Sequence, residues 1–149
     1  MNFNYQKLEK GDVEGGYDLL KENLLNFSWR VSDLEKAFTS NNHLLLGIFQ
    51  KNQLIGMIHG SFLFNEGEIL SIALTKKYQH QGLGTKLLEY FLAEIKKLGV
   101  DKVFLEVRTS NLSAKKLYEK NQFKKISQRK NYYHHPQETA DIYLLEMKS

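Results

Sequence analysis

The segment Gln79-His80-Gln81-Gly82-Leu83-Gly84 sets two glycines one residue apart, immediately before an apolar repeat of helical spacing. Glycines let backbone N–H groups come close to an anion, and the start of a helix adds partial positive charge. A pyrophosphate would suit such a loop. Spacing excludes two common phosphate motifs. A dinucleotide fingerprint needs a third glycine where this chain has Leu87, and a Walker loop needs a glycine five residues before Gly84-Thr85-Lys86. The same glycines would equally serve a helix-starting turn whose small residues allow close packing and bind nothing.

Composition bounds the chemistry further. With 149 residues, 42% hydrophobic and 26% charged, the chain is expected to fold as one soluble domain over 1–149. A formal net charge of +4 favours phosphates without the clustered Lys and Arg of a nucleic-acid-binding surface. Lysines 76, 77, 86, 96, 97, 115, 116, 124 and 125 are spread over several segments, the pattern of a solvated surface. There is no cysteine, so disulfides, thiolate metal sites and a Cys-acyl intermediate are all excluded, and any acyl transfer is direct or uses another nucleophile. His43, His59 and His80 lack metal-ligand spacing, and the adjacent His134 and His135 would point to opposite faces of a strand; no metal is expected. Met1 to Lys10 has no apolar signal core, and the run Leu44 to Phe49 is too short to span a bilayer, so no membrane partner and a cytoplasmic location are expected.

The elements that must position the loop read as β, α, α, three β, α, β, α, β, β. Residues 2 to 8 form a first strand, and Asp12–Leu25 and Ser32–Thr39 form short amphipathic helices with Asp12 and Ser32 as N-caps. An aromatic loop, Asn26-Phe27-Ser28-Trp29-Arg30, lies between them. His43–Gln50, Gln53–Phe64 and Glu68–Leu74 make an antiparallel meander turning at Lys51-Asn52 and at Asn65-Glu66-Gly67. Leu83, Leu87, Leu88, Phe91, Leu92, Ile95 and Leu98 mark the strongest helix, stopped by Gly99. Lys102–Arg108 is a strand with Val103, Leu105 and Val107 on one face and Phe104, Glu106 and Arg108 on the other. A helix over Leu112–Lys120, capped by Ser110 or Asn111, leads to strands at Phe123–His134 and Ala140–Met147, with a turn at His134-His135-Pro136. The central strand, helix, strand unit implies a right-handed parallel crossover within a mixed, mostly antiparallel sheet.

Gln79-x-x-Gly82-x-Gly84 resembles the Q/R-x-x-G-x-G/A signature of the GNAT superfamily and sits where that fold needs it, between strand four and the next helix. Residues 104 to 123, FLEVRTSNLSAKKLYEKNQF, and RKNYY at 129 to 133 resemble the ribosomal-protein-alanine N-acetyltransferase branch; NFSWR at 26 to 30 is similar to its F-P-W-S element without the proline. Family members often carry Leu-Gly-Phe where this chain has Asn121-Gln122-Phe123, and Asn121 would then supply the left-handed turn. The resemblance implies an α+β GNAT fold: a mixed seven-stranded sheet flanked by about four helices, with splayed parallel strands 4 and 5. It implies acetyl-CoA as acetyl donor. Its pantetheine would hydrogen-bond the backbone of Ile72, Ala73 and Leu74, its pyrophosphate would lie on His80, Gln81, Gly82, Leu83, Gly84 and Thr85, and Asn111 would also contact it.

Attack of an amine on a thioester needs a neutral nucleophile, a polarised carbonyl and a proton for the leaving thiolate. By resemblance, Glu106 is the general base and Tyr118 the general acid. On spacing alone Glu106 reads rather as a strand-face ion pair with Arg108, and Tyr118 as a core aromatic beside Leu117. An α-amine (pKa ~8) is neutral about two orders of magnitude more often than a lysine (pKa ~10.4), so a single carboxylate base suits a protein N-terminus. The branch implies the N-terminal alanine of a small-subunit ribosomal protein, held near Asn131, Tyr132 and Tyr133 with Trp29 opposite. A small-molecule amine as acceptor, or an acyl-CoA-binding module without turnover, are the alternatives.

Overall fold

The computed structural model describes residues 2–24, 27–134 and 137–148. Its elements are β1 Asn4–Lys7, α1 Val13–Asn23, α2 Val31–Thr39, β2 His43–Gln50, β3 Gln53–Leu63, β4 Glu66–Leu74, α3 Leu83–Lys97, β5 Lys102–Arg108, α4 Leu112–Lys120, β6 Lys124–His134 and β7 Gln137–Glu146, with 3₁₀ turns at Lys10–Asp12 and Lys76–Tyr78. The seven strands form one sheet in the order β1-β2-β3-β4-β5-β7-β6. Only β4 and β5 are parallel; every other neighbour is antiparallel. This is the mixed, mostly antiparallel sheet with four α-helices that the sequence implies.

Two apolar cores lie on opposite faces of the sheet. Leu83, Leu87, Leu88, Phe91 and Ile95 of α3 bury against Leu46, Ile58, Ile69, Val103, Leu105 and Val107, which supply the other half of the larger core. Leu98 falls outside the expected stripe and stays exposed, because α3 ends at Lys97 and Gly99 turns the chain with φ +91°. On the other face Leu19, Leu20, Leu34 and Ala37 of α1 and α2 cover Leu45, Phe49, Met57 and Ala73. The β5, β7 and β6 side of that second face carries no helix, and polar side chains of the site collect there.

Several boundaries differ from expectation for local reasons. Asp12 is the N-cap residue of α1, as expected, but makes no side-chain capping bond: its carboxylate accepts the Glu9 N–H at 2.8 Å and closes the preceding 3₁₀ turn. Ser32 lies inside α2, whose start is set by Asp33 reaching back to the Arg30 N–H at 2.8 Å. The β3–β4 turn falls on Phe64 and Asn65, not on Asn65-Glu66-Gly67: Phe64 takes φ +55°, and Gly67 stays in β4 because a Cβ there would meet Ile95 Cδ1 at 2.8 Å. Gln122, not Asn121, takes the left-handed conformation after α4, with φ +73°. The expected turn at His134-His135-Pro136 lies outside the described residues at 135 and 136, as do Leu25 and Asn26 of the segments before Trp29.

Candidate active site

β4 and β5 pair only from Glu66↔Lys102 to Ile69↔Leu105, then part. The cause is a bulge. Gly60 opposes Ile69 and His59 opposes Ser71, so Leu70 is an extra residue in β4, and such an insertion bends and twists the strand. β5 meanwhile continues against β7 as far as Arg108↔Ala140. Between the parted strands opens a cavity of about 590 Å³ that is lined by Trp29, Ile72, Glu106, Asn111, Tyr118, Tyr132 and Tyr133 among others. Residues expected from three distant stretches of sequence thus meet in one space.

Beyond the bulge, the β5-facing edge of β4 has no strand partner. The Thr75 N–H donates to the Ile55 carbonyl at 2.9 Å, so by the alternation of an antiparallel ladder Ala73 and Ser71 turn their backbone groups to β3, while Ile72 and Leu74 turn theirs to the gap. Ala73 therefore differs from the expected set: its backbone pairs with Met57 and its methyl is buried under α1 and α2. Gln79 Nε2 donates to the Leu74 carbonyl at 2.9 Å and ties the glycine loop to the end of this edge.

The loop itself lies outside the cavity, at the start of α3. His80 and Gly82 both have positive φ, +61° and +81°. Gly82 is the N-cap of α3 and no side chain caps the first-turn amides of Leu83, Gly84 and Thr85, which a helix leaves without intrahelical partners. Close packing does not account for these glycines. A Cβ on Gly82 would meet nothing within 4 Å, and one on Gly84 would rest 3.6 Å from Leu117, an ordinary contact. Gly82 is required by its left-handed backbone. Gln81 is held by a bond from its Nε2 to the Lys77 carbonyl at 2.9 Å, and Leu83 buries its side chain, leaving only its backbone to face outward.

Glu106 does not make the Arg108 pair that strand alternation suggests. Its Oε1 lies 3.5 Å from Arg129 Nη1 of β6, and Tyr132 of β6 borders the same cavity, whereas Arg108 reaches Glu138 at 3.7 Å and lies 4.2 Å over the Tyr133 ring. Glu68 stands nearby on β4; burial first, and then the charge of Glu106, push its carboxyl above the usual range. Tyr118 is the packed core aromatic that spacing suggests, and its side chain also borders the cavity. It is only 5% exposed and packs edge-on against Phe123 at 5.6 Å, yet its hydroxyl has no partner among the described residues and borders the cavity. Burial first, then the neighbouring Tyr133, push its phenol well above the usual value, so it stays protonated at any working pH. Burial and then Glu106 push Tyr133 up to about 12.

Asn111 caps α4, its Oδ1 accepting the Ala114 N–H at 3.2 Å, while it also borders the cavity. Asn131 does not border it. It sits in an irregularity of β6 with φ +55°, and that break in alternation lets the adjacent Tyr132 and Tyr133 both face the cavity. Trp29 is fixed by Tyr17, whose hydroxyl donates to its carbonyl at 2.8 Å, and by an edge contact with His59 at 5.3 Å. Sequence reading missed Glu68, His59 and Arg129, and also Asp141, which is fully buried on β7. Asp141 ion-pairs with Lys115 at 2.9 Å and accepts from Thr109 and Gln128, so α4 and its leading loop are fastened to β6 and β7. Lys115 is thus not the solvated lysine expected. Burial would raise the Asp141 carboxyl, but Lys115, Gln128 and Thr109 outweigh it and hold it down at about 2. The signal for Asp141 was a lone acid within an apolar strand, Ala140-Asp141-Ile142. Among the described residues no three His, Cys, Asp or Glu side chains are placed to hold a metal ion, and no helix is long and apolar enough to cross a membrane.

Residues 13–123 match the profile of the Acetyltransferase (GNAT) family. The chain is 34% identical over 129 residues to the [ribosomal protein bS18]-alanine N-acetyltransferase of Escherichia coli K12, covering 85% of this chain and 84% of that one. It is 35% identical to the protein of the same name from Haemophilus influenzae, over 87% of each. The crystal structure of the ribosomal-protein-S18-alanine N-acetyltransferase from E. coli superposes with a TM-score of 0.90 at 29% identity, over 99% of this chain and 96% of that one. With the parted β4 and β5, the glycine turn at the start of α3 and matches of this extent, the chain belongs to the acetyltransferase (GNAT) family.

Proposed function

We propose that the protein transfers the acetyl group of acetyl-CoA directly to the α-amine of a protein N-terminus, an alanine of a small-subunit ribosomal protein being the acceptor that its relatives' names suggest. The observation that carries this reading is the meeting of Glu106 and Tyr118 in one cavity at the parting of β4 and β5. The open amides at the start of α3 suit the pyrophosphate, and the edge groups of Ile72 and Leu74 suit the amides of pantetheine, which would pair there as an added strand does. Acetyl-CoA supplies an activated acyl group. Glu106 takes the proton from the incoming ammonium or amine, directly or through a water, while its ion pair with Arg129 aims the carboxylate. An N–H on the open edge near Leu74 meets the oxyanion. Tyr118, protonated throughout, gives its proton to the departing thiolate. Trp29 on one side and Tyr132 and Tyr133 on the other form the walls for the acceptor.

Mass spectrometry tests the reading. A peptide with a free N-terminal alanine and an internal lysine is incubated with the protein and acetyl-CoA, beside the same peptide blocked at its N-terminus and a set of polyamines and amino-sugars. Acetylation is expected at the α-amine alone. Acetylation confined to the small amines, or to the lysine, would overturn it.

A further inference from the structure

Glu68 is a carboxylate beside the general base that the chemistry above does not use. It stands on β4 opposite Phe104, where β4 and β5 are still paired, and Glu106 lies two residues further along β5 on the same face. Neighbouring strands are about 5 Å apart and two residues span about 7 Å, so the two glutamates leave the sheet about 9 Å from each other. Glu68 is open to solvent and makes no ion pair or hydrogen bond among the described residues. Arg129, the cation that acts on it, is engaged by Glu106 at 3.5 Å and by the Tyr132 ring at 5.3 Å. A second cavity, of about 350 Å³, opens on the side of the sheet that carries no helix. Among the described residues only Glu68 and Glu106 border both this cavity and the catalytic one.

An acceptor whose amine sits against Glu106 has to lead the rest of its chain away, and the second cavity is a groove that begins at Glu106 itself. One residue on, about 3.8 Å along the chain, the second side chain comes to Glu68. The walls there match one kind of side chain. Phe62, Phe104 and Ile142 offer apolar surface to a long methylene stem, and Glu68 at the shared rim offers a carboxylate to a cationic head. Burial first, and then the charge of Glu106, act against an ionised Glu68, so a cation brought beside it also relieves the repulsion between the two carboxylates. We propose that Glu68 reads the second residue of the acceptor, so that this protein prefers an N-terminal alanine followed by arginine or lysine over one followed by a neutral or acidic residue. The inference rests on the α-amine reading above and narrows its acceptor, leaving the first residue as alanine.

Three peptides that differ only at the second residue, Ala-Arg, Ala-Gln and Ala-Glu, are compared by kcat/KM for α-amine acetylation and by affinity for the CoA-loaded protein. Arginine is used because its side chain offers no competing amine. In the parent, Ala-Arg is expected to exceed Ala-Gln by about fivefold and Ala-Glu by more, the size of a charge pair that solvent reaches. Glu68→Gln, which keeps the size of the side chain, is expected to bring Ala-Arg and Ala-Gln to within about twofold of each other, and Glu68→Lys to place Ala-Glu above Ala-Arg. Equal values for the three peptides in the parent, or the parent's order kept in both variants, would overturn the subsite. A fall in turnover common to all three peptides with their ratios kept would give Glu68 a part in the chemistry instead, and would overturn it as well. Should no peptide be acetylated, the α-amine reading fails, and the affinity ratios still decide the subsite separately; failure of every peptide to bind removes both.

Discussion

Acidification acts on His59 in a way that can be worked from its surroundings. The ring is buried and its pKa is held at about 3 against an ordinary value of 6.5, first by loss of solvation and then by His43. Unfolding restores the ordinary value, so below about pH 6.5 the unfolded chain takes up a proton that the folded one refuses, and stability falls as pH falls. The sign is that of a histidine with a depressed pKa: the contribution is complete above about pH 6.5 and is lost progressively towards pH 3. Each pH unit is worth about 1.4 kcal/mol, so between about pH 7.5 and pH 4.5 His59 alone removes about 3 kcal/mol, a large part of a domain's usual 5–15 kcal/mol. His43, whose pKa burial also lowers, acts in the same direction. Urea unfolding followed by circular dichroism at closely spaced pH values measures the curve, and His59→Phe supplies the comparison because a phenyl ring takes up no proton. The parent is expected to lose about 3 kcal/mol more than the variant across that interval, even though the variant is less stable at neutral pH. Parallel curves, within about 0.5 kcal/mol, would refute the burial of a neutral imidazole pair beneath Trp29.

Tyr118→Phe removes a hydroxyl that has no partner among the described residues, so melting temperature is expected to hold while kcat falls by about a hundredfold or more with the acetyl-CoA KM little changed; steady-state kinetics at saturating peptide measures it. Asp141→Asn leaves Lys115 without its ion pair and is expected to cost about 2–4 kcal/mol in denaturant unfolding at neutral pH. Because the Asp141 carboxyl is held down at about 2 from 3.8, its contribution is present above about pH 4 and lost as pH falls towards 2, so the gap between parent and variant is expected to close there. Gly82→Ala forces a left-handed backbone on alanine and is expected to cost about 1 kcal/mol of stability together with weaker CoA binding by calorimetry.

Elements with long, regular patterns were legible before any coordinates. β2, β5 and α4 begin and end where sequence spacing places them: β5 buries one regular face, while β2, buried on both faces, is bounded by the Lys51-Asn52 turn. The start of α1 was legible too, with Asp12 at the N-cap position, but the start of α2 was not, because Asp33 reaches back to the Arg30 N–H and composition does not say which residue does so. In β4 the failure is informative. Strict alternation puts Glu68, Leu70 and Ile72 on one face, but the bulge at Leu70 resets the phase, so that Glu68 and Ser71 both border the cavity beside Glu106. The irregularity at Asn131 does the same for Tyr132 and Tyr133. Glu106, Asn111 and Tyr118 were reached through a motif that spans contiguous residues. His59 and Arg129 were not, since their places depend on a register carried across strands far apart in sequence.

The transfer at the parting of β4 and β5 is tested most directly by Glu106→Gln, which keeps the size of the side chain while removing the base. The measurement is kcat/KM for a peptide with a free N-terminal alanine, taken beside the acetyl-CoA dissociation constant. A fall of about 10²–10⁴-fold in turnover with acetyl-CoA affinity within about twofold is expected of a lost general base. Turnover within about threefold of the parent would contradict the account.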